Sequence, residues 1–343
     1  MAAALVAIER IRRGAARPAV SRRLLQAVAI AAYAAFAATV VVSVGGVPDS
    51  RDTLLPLLLV GLLAASVTSI ARLRRFAIGL AVDWAPLLLI LWAYDLARGL
   101  GDRGWMPVHF APQIGVDSVI GLGSVPTVWL QQHLWHGGAH IAWYDYATLG
   151  VYTSYFVATP VVLVLLWWFR PAAFRRFALA LVTLALLSCL TFIVFPAAPP
   201  WLAASRHRIP HVAQIIGLVN LHLPLIRLDP LWERGTAYAN VAAAMPSLHA
   251  GQTLLISLFF FRRLRGRWRW LLFLYPLAMG FALVYAGEHY VADVLAGYAY
   301  CLVVFVGLER LHVRHAREER PAQVAGMGLG VDPDPVGAGL RLE

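Results

Sequence analysis

The chain has 343 residues, of which 60% are hydrophobic and only 14% are charged, and its mean hydropathy is +0.68. This composition excludes a soluble domain and predicts an all-α polytopic membrane protein, because helices satisfy their own backbone polar groups inside a bilayer. The net charge of +11 does not require a nucleic-acid partner, since most of it lies in segments beside predicted membrane spans, where anionic lipid and insertion topology account for it.

Runs of about 18 or more mostly apolar residues mark the candidate membrane spans. In chain order they cover residues 24–44, 54–71, 76–97, 147–169, 177–196, 243–261, 270–286 and 289–309. We therefore expect about eight transmembrane helices. Residues 1–75 would hold an N-terminal segment and two accessory helices, residues 76–309 would form the main six-helix domain, and residues 310–343 would be a disordered tail.

The Arg residues predict the orientation in the membrane, because the chain contains no Lys. They are dense before the first span, in residues 72–75, 170–176 and 262–269, and after the last span. Positive residues accumulate on the cytoplasmic side of a membrane, so both termini are predicted in the cytoplasm and the longer connections outside. Short cytoplasmic connections favour the bacterial inner membrane.

Two short motifs lie where predicted spans begin. Pro-Ser-Leu-His occupies residues 246–249, near the start of the sixth span, and His-x-x-x-Asp occupies residues 289–293, at the start of the eighth. Both spans start from the external side, so the two histidines are expected at one depth near the outer interface. Ionisable residues at such positions are costly in a membrane, and they point to function.

His289 and Asp293 are four residues apart, so on a helix they share one face and the carboxylate can orient the imidazole. Such a ring is a plausible nucleophile, base or metal ligand. The structural alternative is a hydrogen bond that only caps the span. In the first motif Ser247 can cap the helix start, and a phosphate there would lie beside His249, which could protonate a departing oxygen.

These two motifs resemble the second and third signatures of the type 2 phosphatidic acid phosphatase superfamily. The variant with Leu248, together with Phe-Pro-Ala-Ala-Pro-Pro-Trp at residues 195–201, is similar to the inositol phosphorylceramide synthase (aureobasidin-resistance) branch and its bacterial relatives. The resemblance covers residues 80–309. It implies a membrane enzyme, either an inositolphosphotransferase or a phosphatase, in which the six-helix domain is the catalytic unit.

The resemblance also implies roles for individual residues. His289 would attack a lipid-linked phosphorus and form a phosphohistidine, Asp293 would orient it, and His249 would protonate the leaving oxygen. This mechanism needs no metal and no cofactor. The chain departs from the usual pattern because it has no Lys, and Leu283 stands where phosphatases of the superfamily usually have an Arg. This departure fits the phosphotransferase branch better than a simple phosphatase.

Several further residues are candidate substrate contacts. Asp95 and Arg98 near the external end of the third span can bind a headgroup or form a local ion pair. Arg206 and Arg208 in the external connection can replace the missing phosphate clamp or be solvated basic residues. Trp201 is a candidate because it ends the motif at residues 195–201 that carries the resemblance. Tyr152 belongs to an aromatic belt that can also contact substrate. His133, His136 and His140 have spacings that suggest a metal, but they are better explained as structural or solvated residues.

Three functions are therefore in competition. The first is an enzyme that transfers a phosphoryl-linked headgroup between lipids, or from a lipid to a polyol, at the external face. The second is a phosphatase acting on phosphatidate, a sphingoid phosphate or a polyprenyl phosphate. The third is a non-catalytic lipid-binding or scramblase-like protein, which would tolerate the loss of His289.

Overall fold

The computed structural model describes residues 19–44, 51–67, 70–101, 106–223 and 242–327. Within these ranges the chain is mostly helical, and the extended pairing consists of isolated bridges. The helices are α1 (Ala19–Val44), α2 (Arg51–Ser66), α3 (Ile70–Gly79), α4 (Ala85–Gly101), α5 (Ala111–Ile120), α6 (Pro126–Leu134), α7 (Trp143–Phe169), α8 (Pro171–Val194), α9 (Pro200–Ser205), α10 (Ile215–Asn220), α11 (Leu248–Phe261), α12 (Leu274–Tyr285) and α13 (Val291–Met327). A π-helical turn joins α3 to α4, and a 3-10 helix over Arg267–Phe273 precedes α12.

Six helical segments are long and apolar enough to cross a membrane. They are Leu24–Ser43, Leu73–Tyr94, Trp143–Phe169, Pro171–Val194, Arg267–Tyr285 and Val291–Val313. Two shorter apolar helices, Leu54–Ser66 and Leu248–Phe261, fall on the remaining predicted spans. The predicted class, an all-α polytopic membrane protein, is therefore confirmed, while the count of eight spans stays a prediction.

The predicted domain limits do not coincide with helix ends. The limit at residue 75 falls inside α3, and α13 continues past residue 309 to Met327. Residues 328–343 of the predicted tail lie outside the described residues. The three-part division of the chain stays a prediction.

Apolar packing at the end of the bundle opposite the motifs includes one half-buried ionisable group. Asp83 in the π-helical turn accepts hydrogen bonds from Trp167 Nε1 at 3.1 Å and from Arg175 Nε at 2.9 Å. Trp84, fully buried beside it, packs edge-on against Trp167. These contacts connect the π-helical turn, α7 and α8, and they satisfy a carboxylate that would otherwise be costly in this environment.

Helices α11 and α13 approach each other most closely at two glycines. A β-carbon on Gly297 would lie 2.2 Å from the Ser247 carbonyl oxygen, and one on Gly251 would lie 3.0 Å from the Gly297 carbonyl oxygen. Small residues let helix backbones approach closely in membranes. This contact brings the two helix starts, and with them the two motifs, to the same end of the bundle.

Candidate active site

His289 lies in a tight turn between α12 and α13. The N–H groups of Glu288 and His289 both donate to the Leu283 carbonyl, at 3.1 and 3.2 Å. Gly287 has a φ of +81°, and a β-carbon there would lie 2.7 Å from Val212 Cγ1. Both the backbone conformation and the limited space therefore favour glycine. The turn leaves His289 buried, with 7% of its surface exposed.

The side-chain amide of Gln131 supports this turn from helix α6. Its Nε2 donates to the carbonyls of Ala213 and Tyr285, each at 2.9 Å, and its Oε1 accepts from the Ala213 N–H at 2.7 Å. Gln131 is buried, and these three bonds give both its amide nitrogen and its amide oxygen a partner. The position of the side chain is therefore fixed. Helix α6 thus holds the chain just before His289.

His249 stands in the first turn of α11. Ser247 is the buried N-cap of this helix, and its hydroxyl accepts from the Ala250 N–H at 3.4 Å. The Ser247 N–H donates to the Asp293 carbonyl at 3.0 Å, so the two motifs are joined through their backbones. Ser247 therefore has the capping position that the sequence indicates, and its contact with substrate stays a prediction.

The rings of His249 and His289 lie together, with centroids 5.7 Å apart and planes at 61°. Three aromatic side chains of α7 pack against His249: Tyr155 at 4.1 Å, Tyr152 at 5.0 Å and Phe156 at 5.7 Å between ring centroids. A single phosphoryl group between the two imidazoles can contact both. Such a pair can supply a nucleophile on one side and a proton donor on the other.

Asp293 is fully buried and holds the backbone of the turn more firmly than it holds the imidazole. Its Oδ2 accepts from the Tyr290 N–H at 2.9 Å, whereas the same oxygen is 3.7 Å from His289 Nδ1. The second distance suits an ion pair but exceeds a hydrogen bond. Asp293 therefore caps the start of α13. Its part in catalysis stays a prediction.

A second carboxylate reaches the same helix start from helix α5. Asp117 is fully buried; its Oδ2 accepts from the Val291 N–H at 3.0 Å and its Oδ1 from the Ala292 N–H at 2.9 Å. Burial raises the pKa of Asp117, the two backbone N–H groups lower it, and the charge of Asp293 raises it further. Sequence reasoning missed Asp117, because its partners are 174 and 175 positions away.

Glu288 is the other carboxyl that sequence reasoning missed, although it directly precedes His289. It is half-buried, and burial raises its pKa to about 7, while the charge of His289 and a hydrogen bond with Gln214 act in the opposite direction. A carboxyl group that titrates near neutral pH can exchange protons during turnover. The sequence signal that could have identified Glu288 is an acidic residue directly beside the predicted nucleophile.

The remaining candidates, Trp201, Arg206 and Arg208, belong to the connection between α8 and α11. The Trp201 N–H donates to the Gly287 carbonyl at 3.2 Å, which places Trp201 next to the turn that carries His289. Arg206 and Arg208 are exposed, and the Arg208 guanidinium lies 5.9 Å from the ring centroid of Phe110. Substrate binding by these three residues stays a prediction.

The sequence predicts two further sets of candidate residues, one for headgroup binding and one with metal-like spacing. Asp95 and Arg98 belong to helix α4, but their side chains lie outside the described part of the structure. Among the described residues, no group of three or more His, Cys, Asp or Glu side chains could hold a metal ion. Of the three histidines whose spacing suggested a metal, His133 has its ring stacked on Trp129, with the ring centroids 4.2 Å apart.

The amino-acid sequence is similar to those of known proteins. The chain is 28% identical over 252 residues to a phosphoinositol dihydroceramide synthase of Bacteroides thetaiotaomicron, an alignment that covers 67% of this chain and 77% of the relative. No solved structure matches the chain significantly. A model of the PAP2 superfamily matches residues 120–307, from the end of α5 to the middle of α13. The resemblance seen in the two motifs is thereby confirmed, and the chain belongs to the PAP2 superfamily.

Proposed function

We propose that this protein is a membrane enzyme that transfers a phosphoryl-linked headgroup, phosphoinositol in the first instance, from a donor phospholipid to the hydroxyl of an acceptor lipid. Membership of the PAP2 superfamily supports a lipid phosphotransferase or phosphatase. The similarity to a phosphoinositol dihydroceramide synthase favours the transferase. The observation that carries the proposal is the pair of imidazoles, 5.7 Å apart, at the joined starts of α11 and α13.

In the proposed first step, His289 attacks the phosphorus of the donor lipid. The Nδ1 atom of His289 is the nitrogen nearest Asp293, so Nε2 would be the attacking atom. A bond forms between this nitrogen and phosphorus, and the bond from phosphorus to the glycerol oxygen breaks. His249 donates a proton to the departing oxygen, which releases diacylglycerol. The charge of Asp293 stabilises the cationic imidazole.

In the second step the acceptor hydroxyl loses its proton to His249 and attacks the phosphohistidine. The new phosphodiester leaves, and His289 returns to its starting state. Transfer to a lipid hydroxyl competes with hydrolysis, so exclusion of water favours the transferase. The low exposure of His289 and the aromatic packing around His249 support this preference.

The test uses purified wild type and a His289→Ala variant in mixed micelles that contain phosphatidylinositol, ceramide as the acceptor, and phosphatidate. New inositol phospholipid and free phosphate are measured together. His222→Ala is the matched control, because His222 is exposed and its ring bonds only locally, to the Leu218 carbonyl at 2.9 Å. We expect new lipid with little free phosphate in wild type and in the control.

The proposal requires a loss of about 1,000-fold or more in His289→Ala, since the nucleophile is removed. Free phosphate as the main product, lost in the same variant, would assign the protein to the phosphatases instead. Full turnover by His289→Ala would exclude His289 as nucleophile. No product from either protein would favour a non-catalytic lipid protein instead.

A further inference from the structure

We propose that Asp117 is a positioning residue for His289, acting through the backbone of the first turn of α13. The inference rests on the proposed function, in which His289 is the nucleophile. It adds a residue that lies outside the part of the chain matched by the PAP2 superfamily, residues 120–307.

Asp117 contacts the start of α13 through two hydrogen bonds. The two carboxylate oxygens of Asp117 accept from consecutive backbone N–H groups, those of Val291 and Ala292, at 3.0 and 2.9 Å. These N–H groups are among those that a helix start leaves without intrahelical partners, and a negative charge there is favoured by the helix dipole. Bonds to an ionised acceptor are shorter and stronger than neutral ones.

Two carboxylates together hold three consecutive N–H groups beside His289. Asp293 takes the Tyr290 N–H, and Asp117 takes the next two. The chain on the other side of His289 is held through Leu283, whose carbonyl accepts the Glu288 and His289 N–H groups. The direction of the His289 ring towards His249 therefore depends on Asp117 from one side of the turn.

The polarity of α5 shows that Asp117 is not a solvated surface residue. Its buried residues are polar, Gln113 at 1% and Asp117 at 0% exposed. Its exposed residues are apolar, with Val116 at 49% and Val119 at 77% exposed. This reversed amphipathicity suits a helix whose outer face meets lipid and whose inner face meets the site. A polar bond to α13, together with partial packing of Ile114, then holds the helix in place.

The experiment compares Asp117→Asn with wild type in the inositol phospholipid assay, with kcat and KM measured separately and thermal stability recorded. Asn keeps the volume of Asp but loses the charge and one of the two acceptor oxygens. The matched control is Asp83→Asn, a carboxylate bonded to Trp167 and Arg175 at the opposite end of the bundle. His289→Ala is measured in parallel.

We expect Asp117→Asn to lower kcat by about 10- to 100-fold with KM within about twofold of wild type, because a displacement of about 1 Å at the nucleophile costs on this scale. Asp83→Asn should lower thermal stability without lowering kcat of the folded enzyme. If Asp117→Asn does not accumulate as folded protein, Asp117→Glu, which keeps the charge and displaces it by one methylene, is measured by the same criteria.

Wild-type kcat in Asp117→Asn would overturn the inference, as would a loss of kcat matched by Asp83→Asn at equal loss of stability. Either result, with His289→Ala inactive, leaves the proposed function intact. An active His289→Ala variant would instead remove the proposed role of His289 as nucleophile and, with it, the basis for a positioning role.

Discussion

At the scale of single residues, the proposed function needs access to two histidines that are closely packed in the structure. In the proposed mechanism His249 and His289 receive a polar phosphate, yet His289 is 7% exposed and three aromatic rings pack on His249. Aromatic contacts contribute about 0.5–1.5 kcal/mol beyond the area they bury, so they can hold a ring in one orientation. The aromatic residues of α7 thus have a structural reason for their positions, besides the membrane belt that the sequence suggests.

The stacking of Tyr152 on His249 leads to a prediction. Tyr152→Ala should lower kcat about tenfold, since a loss of about 1.4 kcal/mol in transition-state stabilisation has that effect. Tyr152→Phe keeps the ring and should stay within about twofold of wild type in the same transfer assay. If Tyr152→Phe loses as much as Tyr152→Ala, the phenol oxygen rather than the ring is important, which would support the predicted contact with substrate.

Glu288 predicts a dependence of stability on pH. The unfolded chain ionises this carboxyl near its usual pKa of 4.5, whereas the folded protein does so only near a pKa of about 7. Between these values the unfolded state binds fewer protons, so the free energy of unfolding should fall as pH rises from about 4.5 to about 7, and this contribution should be constant above that range.

The measurement is the melting temperature of wild type and Glu288→Gln in one detergent from about pH 5 to pH 8. The variant lacks the titrating group, so the melting temperature of wild type minus that of the variant should decrease across the window. A constant difference between the two proteins would contradict the raised pKa of Glu288.

At the scale of helices, the relation between α11 and α13 decides whether the two histidines meet. The backbones touch where Gly297 passes the Ser247 carbonyl and Gly251 passes the Gly297 carbonyl. His249 and His289 are each attached within one or two turns of this contact. A separation of the helices would therefore move the rings apart directly.

Gly297→Ala tests this relation, because its β-carbon would lie 2.2 Å from the Ser247 carbonyl oxygen. We expect a destabilisation of about 1–3 kcal/mol from overpacking, and a fall in kcat of about 100-fold from the displaced histidines. Chemical denaturation and the transfer assay measure the two effects.

Gly307→Ala is the control on the same helix, since no atom lies within 4 Å of its β-carbon. It should keep wild-type activity and gain up to about 1 kcal/mol, because Ala favours helix more than Gly does. Equal behaviour of the two variants would mean that the close approach of α11 and α13 does not control the site.

At the scale of the whole molecule, the two motifs and one of the Arg-rich connections used to predict the sidedness lie at different ends of the bundle. Both motifs open helices at one end, and the Arg-rich connection that contains Arg265 follows α11 at the other. If positive residues mark the cytoplasm, the site faces outward. The orientation itself stays a prediction.

Cysteine labelling in intact cells tests it. The native Cys189 and Cys301 are buried, at 4% and 0% exposure, and should give little background. A membrane-impermeant maleimide should label His140→Cys, an exposed position between α6 and α7, without permeabilisation. Arg265→Cys, also exposed, should be labelled only after the membrane is opened. The reverse pattern would place the site in the cytoplasm.

Much of this architecture could be predicted because its signals are local. The apolar runs predict the membrane helices, since about 20 residues are needed to cross the hydrocarbon core. The start of α11 is less accurate: the apolar run begins at residue 243, but the helix begins at Leu248, because Ser247 caps it. The spacing of His289 and Asp293 places them on one helix turn, yet it cannot show that Asp293 bonds mainly to the Tyr290 N–H.

The sequence by itself determined the membrane class, the superfamily and the pair of histidines, because composition, run length and short motifs act over a few neighbouring residues. Only the tertiary structure decided that His249 and His289 lie side by side, that α7 supplies the rings around His249, and that Asp117 holds the start of α13. The reason is physical: these contacts join positions far apart in the chain, such as Asp117 and Val291, 174 residues away. Their geometry depends on how the helices pack, which no local pattern encodes.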